Sequence, residues 1–582
     1  MLQHGILDLP TELVLIIAHH THSEDILNMA KTCRYMNNIA LPIFMRRMHL
    51  PLDPERKKCI IDFNLMSWDT GLSALAIYFS QATLETFVCV ISKTLQNLRG
   101  NDNPISSRFL SRRVDQVSHL MSLILSVKDI YMVFDVDLGR LTFLQHFAMQ
   151  RLMLAVHDFV GFSMRKSCNS FHIADLYAYP FEKAYEFQSV NNDIASRWQN
   201  LAQFCVDALP INRKHLGHQL RGNGWKYRKV LESNLLPRPF LPSVPSPNYL
   251  TRMDLNCHFL LVPPFSTWLF DLLQSSNITS LTLSLMKPMK EEEFRRYALP
   301  RLITSLPQLI QLNVAYDELG FFKAIIGSLH LFTLLQDLAF APLSFDRLSP
   351  LPMTNTPNRN IAIRHLTSFT GFSEQAAFLF SQPFSFTSLS DVNIIIDWYF
   401  NYHVSLYDLS RHFSIITHRF SKLEIKPCVS VCMADHDRCP VSPTPSQQRE
   451  FAASFDAVTR LTLELPYFLP EVHSQIEDVL AWLHLFRRLR ELTLCISCLK
   501  ANTAETNLRY VPTIAAIKAS LPHAKVTPVY NSGNYHHHWS NSRRPKDRIF
   551  YYLSSSVQTD ATPYQLQNCF RFGSSRAQID SD

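Results

Sequence analysis

A short apolar pattern recurs through the second half of the chain and limits the folds that it can adopt. Each of eight segments begins with an aliphatic residue, and all but one have a second apolar residue two positions later. The segments begin at Leu281, Leu312, Leu338, Leu366, Val392, Leu423, Leu461 and Leu492. Their starts lie 26 to 38 residues apart. A unit of that length is too short to bury an apolar face by itself, so the pattern predicts repeated units that stack on one another.

Each repeat is predicted to contribute one strand and one helix. An apolar residue precedes most of the segments by three positions, as Leu309, Leu335 and Leu489 do. The resulting pattern resembles a degenerate leucine-rich repeat, in which L-x-x-L-x-L forms a strand and a helix returns the chain. The resemblance implies an α/β leucine-rich-repeat-like solenoid over residues 251–530. A β-sandwich with chance spacing is the alternative, because short apolar strands are common.

The residue between the two apolar positions of each strand is predicted to face away from the core. Those positions and their neighbours, such as Asn313, are polar and mixed in charge. This mixture suits a protein surface better than a phosphate backbone, so we expect a target protein to bind there. The densest charged set, on three successive predicted strands, is Lys422, Glu424, Lys426, Arg460, Glu464 and Glu491.

The first fifty residues carry signals for three short helices. Pro10 suits the first position of a helix, and Leu13, Ile16 and Ile17 follow on one face. Ser23 is a good N-cap for a second helix. Apolar residues with helical spacing continue with Ile26, Met29, Ala30, Cys33, Met36, Ile39, Ala40 and Ile43. Helices this short bury little apolar area, so they need a partner, either the rest of the chain or another protein.

The order and spacing of these residues resemble an F-box. The matching elements are Leu9-Pro10 at the start of the first helix, Asp25-Ile26-Leu27 in the second and Cys33-Arg34 at the start of the third. The resemblance implies a mostly α, three-helix F-box module over residues 1–50. Such a module docks on a Skp-type adaptor, which in turn binds a cullin. By the family pattern, the adaptor-binding residues are Leu9, Pro10, Leu13, Ile17, Leu27 and Cys33.

Composition predicts the character of the remaining segments. Residues 51–235 are predicted to form a mostly helical connecting region, with irregular first repeats as the alternative and one strand at Val127–Val136. Five prolines within residues 236–250 predict an extended linker. Residues 531–582 are polar, and we expect them to form a disordered tail.

Composition and motifs argue against catalysis. The chain has 13 glycines in 582 residues, and it lacks glycine-rich phosphate loops, nucleophile elbows and the H-E-x-x-H motif. We therefore predict no catalytic residues, no cofactor and no enzymatic activity. Lys and Arg exceed Asp and Glu by 56 − 49 = 7, an excess too small to demand a nucleic acid or an anionic membrane as partner.

Cysteine usage favours a reduced intracellular compartment. Twelve cysteines are spread irregularly over the chain, and the first residues do not form a secretory signal. The most apolar stretches are interrupted by polar and charged residues, so we predict no membrane partner. We expect the protein to be cytoplasmic or nuclear.

Two further clusters suggest ligands but favour simpler interpretations. Cys428, Cys432, His436 and Cys439 could supply zinc ligands, yet their spacing matches no familiar zinc finger or ribbon. Nearby prolines mark a loop there, so we predict no bound metal. A basic and aromatic patch around Trp225 allows nucleic acid binding, although a solvated loop is the favoured interpretation.

These observations favour one function and leave two alternatives. The favoured function is a substrate-recognition subunit of an SCF-type ubiquitin ligase. It would bind the Skp-type adaptor through residues 1–50 and an unknown protein substrate through the repeats. The first alternative is a repeat-based interaction scaffold with a non-functional F-box. The second, which the modest net charge disfavours, is a nucleic-acid-binding protein.

Overall fold

Parallel strands alternate with helices through most of the chain in this computed structural model. Among the residues that the structure describes, fourteen strands belong to one large sheet, so the fold is α/β. The chain divides into two compact units, of which the first comprises Met1–Leu281, Pro288–Leu306 and Thr562–Asp582. The second comprises Thr282–Lys287 and Pro307–Ala561. The structure describes residues 9–48, 57–62, 68–80, 82–92, 105–137, 158–159, 162–163, 168–177, 185–189, 225–229, 249–256, 258–261, 265–285, 289–342, 361–397, 405–423, 428–434, 443–465, 473–497 and 503–531.

Three helices begin the first unit, in the region where the apolar spacing predicted them. They are α1 (Thr11–His20), α2 (Ser23–Thr32) and α3 (Arg34–Arg47), and α2 and α3 pack against α4 (Trp68–Tyr78). The side chains that the first three helices bury are Val14, Ala18, Ile26, Leu27, Ala30, Met36, Ala40, Leu41, Ile43, Phe44 and Met45. The rest of the chain therefore supplies part of the cover that these short helices need.

The remainder of the first unit is built mainly of strands joined by helices. Its strands are β1 (Lys58–Asp62), β2 (Thr83–Ser92), β3 (Ser126–Asp137), β4 (Ser170–Tyr177), β5 (Tyr185–Ser189), β6 (Trp225–Lys229) and β7 (Arg252–Asn256). Its further helices are α5 (Ile105–Leu123), α6 (Phe265–Ser275), α7 (Glu291–Glu293) and α8 (Leu299–Ser305), with a π-helical segment at Phe294–Ala298 and a 3-10 turn at His258–Leu261. β1, β2, β3, β4 and β7 are parallel neighbours in that order, whereas β5 and β6 form a separate antiparallel pair.

This arrangement differs from the mostly helical region predicted for residues 51–235. The strand predicted at Val127–Val136 is present within β3, but β1, β2 and β4 also join the sheet. Their apolar residues are mainly Cys, Phe, Val and Ile rather than recurring leucines, so the leucine pattern did not reveal them. The basic and aromatic patch at Trp225–Lys229 lies on β6 rather than in a loop.

The second unit continues the alternation of strands and helices. β8 (Ser280–Leu285) spans the division between the units. The next strands are β9 (Gln311–Tyr316), β10 (Asp337–Pro342), β11 (Ile361–Ile363), β12 (Ser368–Phe372), β13 (Phe384–Phe386), β14 (Asp391–Asp397), β15 (Cys428–Ala434), β16 (Val458–Leu465), β17 (Glu491–Ser497) and β18 (Lys525–Asn531). The helices are α9 (Leu319–Gly327), α10 (Ser373–Ser381), α11 (Leu406–Ser421), α12 (Pro445–Phe451), α13 (His473–Leu483) and α14 (Thr503–Ser520), with 3-10 turns at Leu329–Leu331 and Ala452–Phe455. Among the described strands of this unit, β11 and β13 pair with each other, while the others follow in chain order in the large sheet.

Six of the eight predicted segments lie within strands of the large sheet. The segment at Leu366 was placed wrongly, because Phe369 is the residue that pairs with Leu338 of β10. The segment at Leu423 was also wrong. Helix α11 continues to Ser421, and the strand that follows begins only at Cys428.

A row of apolar side chains in register links successive strands of the second unit. Leu312, Leu338, Phe369, Val392 and Val429 are Cα partners on β9, β10, β12, β14 and β15. Each of them is at most 2% exposed. Burying such side chains contributes about 25 cal/mol for each Å² of apolar area removed from water. Neighbouring strands therefore stabilise one another through this shared core.

Candidate functional site

Helix α1 exposes an apolar surface to solvent. Leu13 is 46% exposed, Leu15 37%, Ile16 54% and Ile17 38%. Single exposed aliphatic residues are ordinary on proteins, but Leu13, Ile16 and Ile17 share one face of the helix and form a patch of the kind that binds a partner. We call these three residues the α1 surface.

The side of α1 that packs against the rest of the module carries smaller residues. α1 packs against α3 and buries only Val14 and Ala18. Small side chains at a helix contact let the two backbones approach closely, which leaves the larger leucines and isoleucines pointing elsewhere. The α1 surface therefore stays open although the module has an apolar core.

Arg47 and Tyr35 of α3 hold the two ends of α1. The Arg47 guanidinium donates hydrogen bonds to the carbonyl oxygens of Thr21, at 2.6 Å, and Ala18, at 3.3 Å. The last carbonyls of a helix have no partner within it and favour a positive charge, so this contact caps α1. At the other end, the hydroxyl groups of Thr11 and Tyr35 lie 3.0 Å apart. The α1 surface is thus presented by a helix fixed at both ends.

The residues predicted to bind an adaptor take different places in the module. Leu13 and Ile17 lie on the α1 surface, and Pro10, directly before the helix, is exposed. Leu27 is only 3% exposed, so it stabilises the module from within instead of offering a contact surface. The remaining two, both half-buried, are Leu9 and Cys33.

Two of the residues predicted to bind a target meet on adjacent strands. Arg460 of β16 and Glu491 of β17 are Cα partners. The Arg460 guanidinium also lies 2.8 Å from Asp391 Oδ1 of β14. Because Arg460 is paired with a carboxylate of its own chain, less of its charge is available to a partner protein than the sequence suggests.

The other four residues predicted to bind a target are Lys422, Glu424, Lys426 and Glu464. Lys422 is exposed, but it caps the C-terminal end of α11 and does not lie on a strand, so its predicted position is wrong. Glu464 lies on β16. Glu424 and Lys426 lie outside the described residues.

Polar residues between the apolar strand positions are less accessible than expected. Thr282 is 4% exposed, and Asn313 and Thr370 are each 5% exposed. The Asn313 side-chain amide donates a hydrogen bond to Thr282 Oγ1 at 3.4 Å. Parallel sheets are commonly buried on both faces, and these strands follow that rule. The expectation that such residues are free to meet a partner is therefore wrong at these positions.

The predicted zinc ligands do not converge where the structure describes them. Cys428 and Cys432 both lie on β15, which replaces the loop predicted there. Four residues of extended strand separate Cα atoms by roughly 13 Å, too far for two sulfurs to bind one ion at about 2.3 Å. His436 and Cys439 lie outside the described residues. Among the residues that are described, no group of three or more His, Cys, Asp or Glu side chains could hold a metal ion.

Three neighbouring strands of the first unit carry a polar cluster that the sequence analysis missed. Tyr131 of β3, His172 of β4 and Asp254 of β7 are Cα partners across the sheet. Two residues earlier on each of these strands, Asp129, Ser170 and Arg252 are also Cα partners of one another across the sheet. We call this set the His172 cluster, and its members are Asp129, Tyr131, Ser170, His172, Arg252 and Asp254.

The contacts within the His172 cluster fix the imidazole ring. The rings of Tyr131 and His172 stack at 4.2 Å with an angle of 9° between their planes. His172 Nδ1 pairs with Asp254 Oδ2, and an Arg252 guanidinium nitrogen lies 3.2 Å from the same oxygen. Burial opposes the charge of Arg252, but Asp254, with smaller contributions from Tyr131 and Asp129, raises the pKa of Arg252 overall. An ordered set of charges therefore stands on this face of the sheet.

The strands of the His172 cluster have the same pattern as most strands of the second unit, with a polar residue between two apolar ones. Its central residues lie between buried apolar neighbours in Ile130–Met132, Phe171–Ile173 and Met253–Leu255. Isoleucine, methionine and phenylalanine take most of the positions that leucine holds in the second unit, with Leu255 as the exception. A search for any apolar residue on either side of a polar one would have found these strands, and with them Tyr131 and His172.

No protein-family model matches the chain, and no curated protein matches it. Within the described residues, no helix has both the length and the apolar character needed to cross a membrane. The α1 surface and the His172 cluster are the two features with the clearest binding chemistry.

Proposed function

We propose that the chain is an F-box-type substrate-recognition subunit of an SCF-type ubiquitin ligase. The three N-terminal helices dock on a Skp-type adaptor, which joins them to a cullin. The α/β part forms a leucine-rich-repeat-like solenoid that binds the target protein. The chain does no chemistry itself, because holding a target near a bound conjugating enzyme raises the effective concentration of the reacting groups.

The α1 surface is the observation that carries this proposal. Leu13, Ile16 and Ile17 are each more than a third exposed on a helix whose ends are tied to α3. Covering them at an interface would contribute about 25 cal/mol for each Å² of apolar area buried. Because the helix is already formed, little conformational entropy is lost on docking. The F-box resemblance assigns Leu13 and Ile17 to the adaptor interface, so the adaptor is the proposed occupant.

The parallel sheet supports the second half of the proposal. Successive strands place polar side chains side by side, as in the pairs His172–Asp254 and Arg460–Glu491. Repeated strand-and-helix units build extended surfaces of this kind, which suit the capture of a polypeptide. The proposed target surface then lies on different helices and strands from the proposed adaptor surface, which a receptor that binds both proteins requires.

Co-purification of the full chain with a Skp-type adaptor and a cullin tests the proposal. We expect the three proteins to elute together from a sizing column in a complex that depends on the adaptor. A folded chain that elutes alone beside excess adaptor would contradict the proposal and favour the interaction scaffold. Recovery of bound RNA or DNA in place of the adaptor would favour the nucleic-acid-binding alternative.

A further inference from the structure

We propose that the His172 cluster binds an arginine side chain of the target polypeptide. This inference rests on the proposed function, since it places target recognition on β3, β4 and β7 of the first unit. It also moves the principal target contact away from the charged patch around Arg460. The argument uses the net charge of the cluster, its accessibility and its hydrogen-bonding groups.

The cluster carries an excess negative charge in a partly desolvated place. Asp129 and Asp254 are carboxylates, and Arg252 is the one guanidinium among the six residues. The side chains of His172 and Asp254 are 16% and 15% exposed, and that of Arg252 is 32% exposed. Their outer atoms can therefore be reached, while the surrounding protein reduces the screening of their charge by water.

Asp254 selects one tautomer of the His172 ring. Because Nδ1 faces the carboxylate, the tautomer of the neutral ring that suits this contact carries its proton on Nδ1 and leaves a lone pair on Nε2. The stacked ring of Tyr131 prevents the imidazole from turning away. A partner that approaches the cluster thus meets an acceptor held in one orientation.

Asn256 offers a second acceptor on the same face of the sheet. It follows Asp254 by two residues on β7, and alternate residues of a strand share a face. Its side-chain oxygen Oδ1 is buried without a hydrogen-bond donor. A buried acceptor without a donor is unfavourable, so a ligand or a small rearrangement that brings an N–H group to Oδ1 is favoured.

Acceptors and excess negative charge together select a cationic donor. A guanidinium group is always charged and presents several N–H groups in one plane, so it can reach an acceptor and a carboxylate at the same time. An ammonium group has the charge but lacks the planar geometry. Citrulline has a similar shape without the charge, and a phosphate would be repelled. The expected order of affinity is therefore arginine, then lysine, then citrulline.

Saturation-transfer NMR on the full chain tests this assignment without any adaptor. The probes are N-acetyl methylamides of arginine, lysine, citrulline and phosphoserine. We expect the arginine probe to bind at least about tenfold more tightly than the citrulline probe, since charge-assisted hydrogen bonds are roughly twice as strong as neutral ones. Equal binding of arginine and citrulline, or a preference for phosphoserine, would overturn the inference.

Two variants and a matched control locate the site. Asp254→Asn removes the excess negative charge and leaves Arg252 without its carboxylate, so arginine binding should fall about tenfold and phosphoserine binding should appear. Asn256→Ala should weaken arginine binding several-fold without releasing Arg252. Glu85→Gln, which changes an exposed carboxylate of β2, should leave binding unchanged. Circular dichroism confirms that each variant is folded.

The outcomes separate this inference from the proposed function. Arginine binding that is unaffected in both Asp254→Asn and Asn256→Ala would show that the cluster is not the site. A chain that binds the adaptor but none of the cationic probes would contradict this inference and leave the proposed function standing. A chain that binds arginine through the cluster but no adaptor would contradict the proposed function alone.

Discussion

Arg47 is the side chain that most directly maintains the α1 surface. Its guanidinium caps the C-terminal end of α1 through the carbonyl oxygens of Ala18 and Thr21. Arg47→Ala removes hydrogen bonds that involve a charged donor, each worth roughly 1.5–3 kcal/mol. We predict that the amides of α1 then exchange with deuterated water at least about tenfold faster, because local opening becomes less costly. Arg46→Ala, at an exposed neighbouring position, is the control, and equal protection in both variants would refute the capping role.

His412 should make the stability of the second unit sensitive to acid. It lies on α11, with Nδ1 3.1 Å from the hydroxyl oxygen of Ser373 at the start of α10. Burial lowers the pKa of His412 to about 4, with the charge of Asp408 opposing and that of Arg411 assisting. The unfolded chain binds this proton near pH 6.5. Because the folded chain binds it only near pH 4, this contribution to stability is complete above pH 6.5 and is lost as the pH falls.

The pH profile of thermal unfolding measures this effect. We predict that the unfolding midpoint of the wild type falls between pH 6.5 and pH 4.5. His412→Gln, which cannot take up the proton, should have a shallower decline over the same range. If the two proteins decline equally, other groups control the acid response.

Individual residues of the α1 surface were only partly predictable from the sequence. Helical spacing identified Leu13, Ile16 and Ile17 as one apolar face, and that face is the exposed one. The pattern could not show that Val14 and Ala18 make the internal contact, because small residues give a weak apolar signal. It also could not show that Leu27 lies inside the module, since burial depends on how α2 meets α3.

At the scale of single elements, strand β12 depends on a glycine. A Cβ atom added at Gly371 would lie 2.7 Å from Gln375 Oε1 and 2.9 Å from a ring carbon of Phe369. Gln375 cannot easily move, because Oε1 accepts the backbone N–H of Phe372 and Nε2 donates to the hydroxyl of Tyr316. The junction between β12 and α10 therefore has no room for a larger residue.

Alanine substitution at two glycines tests this packing. Gly371→Ala should destabilise the second unit by about 1–3 kcal/mol, as overpacking of a filled core usually does. Gly327→Ala, at the end of α9, adds a Cβ with no atom within 4 Å and should be neutral or slightly stabilising. Thermal unfolding of the full chain compares them. Equal midpoints for the two variants would show that the β12 junction can relax.

Strands were predictable where leucine marks them and less so elsewhere. In the repeat at Leu366, both Leu366 and Phe369 are apolar, so a pattern of spaced apolar residues fits two positions three residues apart. Only the pairing of Phe369 with Leu338 decides between them. In the first unit, strands such as β4 combine Phe, Ile and Leu with polar residues, and they carry the His172 cluster. The part of the sheet with the richest binding chemistry was therefore the part that the pattern missed.

For the whole molecule, the recurrence of apolar segments predicted the α/β class but not the extent of the sheet. The period near thirty residues leaves room for one strand and one returning helix, which makes parallel pairing the natural result. The large sheet runs from β1 at Lys58–Asp62 to β18 at Lys525–Asn531, and the pairings described within it, such as β1 with β2 and β17 with β18, are parallel. Residues 51–235 were predicted to be mostly helical, with irregular first repeats as the alternative, and the strands of that region lack the leucine signature. A repeated pattern is thus easier to detect in the sequence than the individual repeats that depart from it.

The affinity of the purified full chain for a Skp-type adaptor tests the central claim most directly. Wild type is compared with Leu13→Ser/Ile17→Ser on the α1 surface and with Leu331→Ser/Leu334→Ser, a matched pair of exposed leucines in the second unit. Exposed substitutions usually change stability by less than about 0.5 kcal/mol, so both variants should remain folded. We predict that the α1 variant binds the adaptor at least about tenfold more weakly, because interface hot spots cost more than 1 kcal/mol each, and that the control binds like wild type. Equal affinity of all three proteins, or no binding by wild type, would contradict the account.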